Sequence, residues 1–248
     1  MKRIFLRVAY DGTDFVGWQI QSEGRTVEGE LNKAINALTG ETIEVIGASR
    51  TDSGVHAKGN VAVFDTESTI PGDRFMYAIN TLLPEDVSVV ESKEVEAGFH
   101  PRHCVSIKTY EYRIFVSEVN DPLKRRYALR CPYNLDVNKM DDAAKYLVGE
   151  HDFKSFCCVK TQAETTVRKI YTADVFHDGD DIVIRISGAG FLYNMVRIIA
   201  GSLMEVGGGK YDPIHIKEVL EGTDRTLAGP TAEPQGLTLV NIGFADEL

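Results

Sequence analysis

ETIEVIGASRTDSGVHAKGNVAVFDT (41–66) is the stretch that decides how this chain folds. It holds two strand-like runs, ETIEVIGA (41–48) and NVAVFDT (60–66), joined by a polar connection with no helix in it. Upstream, IFLRVAY (4–10) alternates apolar and polar residues and stops at Asp11-Gly12, so it reads as a strand. Thr26 then precedes VEGELNKAINALTG, where Val27, Leu31, Ala34, Ile35 and Leu38 recur at helical spacing and Gly40 closes the segment. Downstream, PGDRFMYAINTLLP (71–84) predicts a helix bracketed by prolines, and DVSVVESKEV (86–95) predicts a fourth strand. Two strands in direct succession between two helices give the order βαββαβ. That is the split-βαβ, ferredoxin-like order, an antiparallel sheet with both helices on one face.

The second half begins near residue 105. SIKTYEYRIFVS (106–117) reads as a strand, VNKMDDAAKYLVG (137–149) as a helix, and TTVRKIYTADVFHDGDDIVIRISG (165–188) as a hairpin turning at Asp178-Gly179-Asp180. GFLYNMVRIIAGSLMEVG (190–207) predicts a long, strongly apolar helix, followed by a short one at 213–221 and a closing strand, LTLVNIGF (237–244). This again approximates βαββαβ, with insertions. The expected fold class is therefore α+β: two ferredoxin-like halves, 1–104 and 105–248, whose sheets join edge to edge as one mixed or antiparallel sheet with a central cleft. No repeat relates the two halves in sequence.

Composition bounds the function. The chain has 248 residues, 43% hydrophobic and 26% charged, enough for one large domain or two small ones. No apolar run approaches the roughly 18 residues of a membrane helix. The start, MKRIFLRVAYDGTDF, lacks the pattern of a secretory signal, so the cytoplasm is the expected compartment. Cys104, Cys131, Cys157 and Cys158 form no C-x-x-C pair, which argues against a zinc site and a disulfide framework. FHPRHC sets His100 and His103 beside Cys104, but no second cluster follows, so no metal is expected. Net charge is −10, which taken alone argues against nucleic acid. Residues 101–130, however, hold seven basic side chains against three acidic ones, and a local basic surface can still bind phosphates.

The connection itself carries the chemistry. A carboxylate beside an arginine stays ionised, because the cation stabilises the charged form, and can then act as nucleophile or base without a metal. Arg50 and Asp52 are two apart, so on extended backbone they face one side. Ser53-Gly54 lets the chain turn. The same residues also fit a plain Asx-turn at Asp52. His56 has no nucleophilic partner in a recognisable elbow and reads as structural or as a phosphate contact.

GASRTDSGVHA resembles the G-R-T-D-x-G-V-H-A signature of the TruA family of tRNA pseudouridine synthases, departing from it in the Ala48-Ser49 that stands before Arg50. YDGTDFVGWQIQ (10–21), FHPRHCVSIKTYEYRI (99–114) and FLYNMVRIIAG (191–201) are similar to three further blocks of that family, in family order, and GLTLVNIGF (236–244) fits its ending. The resemblance implies that Asp52 is the catalytic aspartate and that Tyr110 stacks on the target base. It further implies that Arg197 pairs with the aspartate and that Arg50 contacts the RNA backbone or the flipped nucleotide. It implies isomerisation of uridine to pseudouridine in the anticodon arm of tRNA, at positions 38 to 40, by a homodimer that needs no cofactor. Without the resemblance, Tyr110 and Tyr112 are half-buried strand aromatics. Arg197, inside an otherwise apolar helix, is costly to bury unless paired, and it also fits a helix arginine reaching for solvent. The apolar surplus of its helix suits either the core of the second half or a dimer seam.

Two rivals are weaker. YDGTDF faintly resembles the D-x-D-G-T motif of aspartate-nucleophile phosphatases, but Ala9 stands where the first aspartate is needed. A non-catalytic RNA-binding module on ferredoxin-like sheets reads single strands with exposed sheet aromatics. IFLRVAY and NVAVFDT lack that aromatic string, and such a module leaves the Asp52 motif unexplained.

Overall fold

The computed structural model describes residues 1–158 and 164–244. Alternation builds β1 (Lys2–Tyr10), and α1 (Val27–Thr39) follows with Thr26 as its cap, the threonine hydroxyl accepting from the Gly29 amide. β2 (Ile46–Gly47) is only two residues long, β3 (His56–Thr66) is eleven, and a 3-10 turn leads into α2 (Phe75–Asn80) and β4 (Val87–Val95). β4 pairs with β1, β1 with β3, and β2 with β3, all antiparallel. This is the ferredoxin-like order expected from the sequence. α1 buries Val27, Leu31, Ala34 and Ile35, the apolar stripe that sets its face toward the core.

Two expected elements shrink. Of the strand expected over 41–48, only Ile46 and Gly47 join the ladder, opposite Val63 and Ala62. Ile43 and Val45 are buried, but their amides bond to the side-chain oxygens of Asn36 and Asn32 in α1, at 2.8 and 2.9 Å. The alternation there reflects burial under a helix rather than pairing. The helix expected over 71–84 ends at Asn80, whose side chain exchanges hydrogen bonds with both backbone groups of Val89 in β4. That bond ties the helix end to the sheet and stops it.

The second part of the chain forms β5 (Ser106–Val116), β6 (Leu129–Cys131), α3 (Val137–Lys145), β7 (Gly149–Asp152), β8 (Val167–Asp178), β9 (Asp181–Gly188), α4 (Met195–Gly207), α5 (His215–Gly222) and β10 (Leu237–Phe244). The strand order β5-β9-β8-β7 is antiparallel throughout, and β6 runs parallel to β5. β6 and β7 are too short and too polar to carry an alternation the sequence reveals. The chain divides into two compact units, Met1–Val105 with the described residues from Leu239 onward, and Ser106–Thr238. The closing strand, which sequence order puts wholly with the second half, therefore returns to the first unit from Leu239. There Phe244 packs edge-on against Phe5 and Phe99.

α4 begins at Met195, five residues later than the periodicity suggests, because Asn194 takes a left-handed conformation, φ 61°, and breaks the helix there. Eleven of its thirteen residues are buried. Its apolar surplus is thus core, at about 1.5–3 kcal/mol for each fully buried large side chain. No helix among the described residues is long and apolar enough to cross a membrane.

Candidate active site

Asp52 sits in the loop between β2 and β3. Ala48, Ser49, Thr51 and Val55 are buried, Arg50 is exposed and Asp52 is half-buried. Extended backbone alternates its side chains, so Thr51 points in while Arg50 and Asp52 point out together. The loop then turns at Asp52–Val55. The Val55 amide donates to the Asp52 carbonyl at 3.2 Å, and Gly54, with φ +75°, takes the left-handed position. A main-chain hydrogen bond thus closes the turn that carries the Asp52 carboxylate.

The segment 10–18, some forty residues earlier, fastens this loop. The Gly54 amide and the Ser53 hydroxyl both donate to the Phe15 carbonyl, at 3.2 Å each. Phe15 is clamped in turn by the Arg25 guanidinium, 4.3 Å from its ring centre. Arg25 is fixed by two bonds to Asp86, at 2.6 and 2.8 Å, and one to Glu30 at 2.9 Å; these carboxylates raise its pKa above the ordinary arginine value. The Trp18 amide donates to the Thr51 carbonyl at 3.1 Å, and the Trp18 indole, 1% exposed, packs on Gly47. Gly12 lies so close to the loop that a β-carbon there would stand 2.0 Å from the Val55 carbonyl oxygen. The YDGTDFVGW string is thus the bed on which the Asp52 loop lies.

His56 is buried, and its Nδ1 accepts from the Gly12 amide at 3.0 Å and lies 3.2 Å from Asp11 Oδ1. A side chain so enclosed is a structural tie between the two segments. The phosphate contact that the sequence also allows is corrected: the ring does not reach the surface.

In the other unit, Tyr110 and Tyr112 lie on one face of β5, opposite Ile186 and Ile184 of β9. Both are buried. Tyr110 packs edge-on against Phe191 with ring centres 5.0 Å apart, a contact that orients the ring. The Tyr112 hydroxyl donates to the Glu233 carbonyl at 2.7 Å, and burial pushes this phenol above its ordinary pKa while nearby Arg197 pulls the other way. Arg197, in the first turn of α4, donates from Nε to the Ala232 carbonyl at 2.7 Å and from Nη1 to Asn194 Oδ1 at 3.0 Å. Its guanidinium is half-buried and held by these acceptors, so it does not extend freely to solvent. The left-handed Asn194 both starts the helix and grips this arginine.

Within one unit the structure brings Arg50 and Asp52 together on one loop; within the other it brings Tyr112, Arg197 and the 232–233 segment together, with Tyr110 on the same strand face. Of the basic residues in 101–130, Arg113 bonds Asp178 at 2.7 Å and Lys124 bonds Asp181 at 2.6 Å, so these two are neutralised locally. His100 and His103 stack on one another, ring centres 3.8 Å apart. Sequence reasoning gave no role to Tyr10, Thr51, Phe15, Trp18 or Asn60. The signal that could have found them is Gly12, since a glycine behind a strand can mark the close approach of another backbone.

The sequence pattern of the family described as tRNA pseudouridine synthase matches residues 7–103 and 143–245. A protein of Brevibacillus brevis named tRNA pseudouridine synthase A is 48% identical over 244 residues, covering 98% of this chain and all of that protein. Proteins of the same name from Caldicellulosiruptor bescii and Anoxybacillus flavithermus are 45% and 46% identical, each covering 98% of this chain and at least 99% of the relative.

Proposed function

This chain belongs to the tRNA pseudouridine synthase family, and we propose that it converts uridine to pseudouridine in the anticodon arm of tRNA, at positions 38 to 40, with Asp52 as the catalytic carboxylate. The enzyme is a tRNA-uridine isomerase. In the reaction the N1–C1′ bond breaks, the uracil turns, and C5 bonds to C1′. C5 gives up its proton and N1 takes one, so atoms and electrons balance within the substrate and no cofactor is called for.

The observation that carries the reading is the Asp52 loop. A half-buried carboxylate is carried on a loop that hydrogen bonds from the segment 10–18 fasten on both sides of it. Rigid placement of a charge where it must meet a reacting carbon is electrostatic preorganisation. The target uridine lies within a structured RNA arm and has to leave its stack, at a cost of about a few kcal/mol. Tyr110 is proposed to recover roughly 1–3 kcal/mol of this by stacking on the base. Arg197 is proposed to pair with Asp52 and keep it ionised, and Arg50, exposed on the same loop, to contact the RNA backbone or the flipped nucleotide. The enzyme is proposed to work in the cytoplasm as a homodimer.

The test is direct: incubate the protein with unmodified tRNA and map pseudouridine. Product at positions 38 to 40 that disappears in Asp52→Ala, with RNA affinity retained, is the expected result. Folded protein that leaves the anticodon arm unmodified overturns the assignment.

A further inference from the structure

We propose that Asn60, Tyr10 and Thr51 form a hydrogen-bond relay that positions the Asp52 carboxylate; the inference rests on Asp52 being the catalytic group. All three side chains belong to buried residues, an unusual load of polar groups beneath a short connection between strands. Asn60, in β3, donates from Nδ2 to the Ser49 carbonyl at 2.9 Å and to the Tyr10 phenol oxygen at 3.2 Å. Its Oδ1 accepts from the Val61 amide at 2.9 Å, which identifies the two ends of the side-chain amide. An amide nitrogen cannot accept, so the Tyr10 oxygen is the acceptor there and keeps its own proton to give. Thr51 Oγ1 lies 2.7 Å from the same oxygen, a hydrogen bond across which either hydroxyl can donate. The three side chains are therefore linked in series, Asn60 to Tyr10 to Thr51.

The relay grips the loop at two points, the Ser49 carbonyl and the Thr51 hydroxyl, and leaves the next residue, Asp52, to face outward. A threonine has one χ1 to fix, and a 2.7 Å bond to a buried phenol fixes it. None of these bonds belongs to the strand ladder. Asn60 pairs with Val8, and Tyr10 with Ala57, through their backbones, and that register stands without the side chains. Loss of a hydroxyl from the relay should therefore leave the sheet intact and let the carboxylate drift. A misplacement of about 1 Å in a reacting group is enough to cost on the order of 100-fold in rate.

The experiment compares Tyr10→Phe, Thr51→Val, the double variant, Thr51→Ser and Asp52→Ala. Each is tested for single-turnover pseudouridine formation on an unmodified tRNA transcript, with Kd for the same RNA and Tm measured alongside. The relay predicts a rate tenfold or more lower in Tyr10→Phe and in Thr51→Val, with Kd within twofold. It predicts a double variant no slower than the worse single, because both remove one and the same link. Thr51→Ser, which keeps the oxygen, should return to within threefold of the original rate. Full rate in both single variants beside an inactive Asp52→Ala overturns the relay alone, as do losses that fall wholly in Kd or multiply in the double. Turnover by Asp52→Ala overturns the catalytic reading and the relay with it. If Thr51→Val does not fold, Tyr10→Phe and Thr51→Ser decide on the same criteria.

Discussion

Gly54 shows how much of the site rests on one backbone angle. With φ at +75°, it allows the turn that starts at Asp52, and any β-carbon there costs about 1–2 kcal/mol. Gly54→Ala should lower stability in urea by about that amount and cut turnover more than it weakens RNA binding, since the carboxylate and the turn move together. Asp65 contributes to the pH dependence of the same unit. Its bonds to Arg3, at 2.8 and 2.6 Å, hold the carboxyl below its ordinary pKa. A depressed folded-state pKa contributes stability that is fully present above the unfolded value, about 3.9, and is lost as pH falls through the folded value. The gap in urea midpoint between the parent and Asp65→Asn should therefore be open at pH 7 and should close below about pH 4. An unchanged gap at pH 3 would remove Arg3–Asp65 from the account of acid unfolding. At this scale, the strings around Asp52, Arg50, Tyr110 and Arg197 stand out through their family resemblance, and the roles proposed for these four side chains rest on it. The side chains that hold Asp52 were not legible. Tyr10 and Thr51 are 41 positions apart and Tyr10 and Asn60 are 50 apart, and no local pattern records a bond made through space.

Elements were legible where caps and periodicity agreed. Thr26 caps α1 as its spelling suggests, and Thr26→Ala should cost about 1 kcal/mol in chemical denaturation. Because α1 also donates from the Glu28 amide to the Trp18 carbonyl, at 3.0 Å, fraying of its first turn should reach the segment under Asp52. Hydrogen exchange at the Trp18 and Gly54 amides should quicken in that variant. The hairpin β8–β9 turned where Asp178-Gly179-Asp180 said it would, since glycine takes the φ of +60° that the turn demands. The 41–48 run misled because asparagine side chains from α1 took amides that a neighbouring strand would otherwise have used. Side-chain capture of this kind leaves hydrophobic alternation intact while removing the ladder. α4 was legible as apolar, but its start was not, because a single left-handed asparagine overrode the periodicity.

At the scale of the whole chain, a net charge of −10 has to meet a polyanion. Local pairing makes this harder, since Arg113 and Lys124 spend their charge on Asp178 and Asp181. The footprint on RNA should therefore release few counterions. Raising salt from 50 to 200 mM should weaken tRNA binding by about 10- to 100-fold, well short of the 10³–10⁵ expected for six to ten phosphate contacts. A filter-binding salt series measures the slope, and a steep one would mean that a larger basic surface is used.

Trp18 is the chain's one tryptophan, and it lies beneath the loop that carries Asp52. Ultraviolet emission excited at the indole band thus arises from a single place, whose backbone amide is bonded to Thr51, the residue before Asp52. The molecule comes with its own fluorophore, so the speed with which tRNA disturbs that loop can be followed in a stopped-flow instrument without labelling either partner.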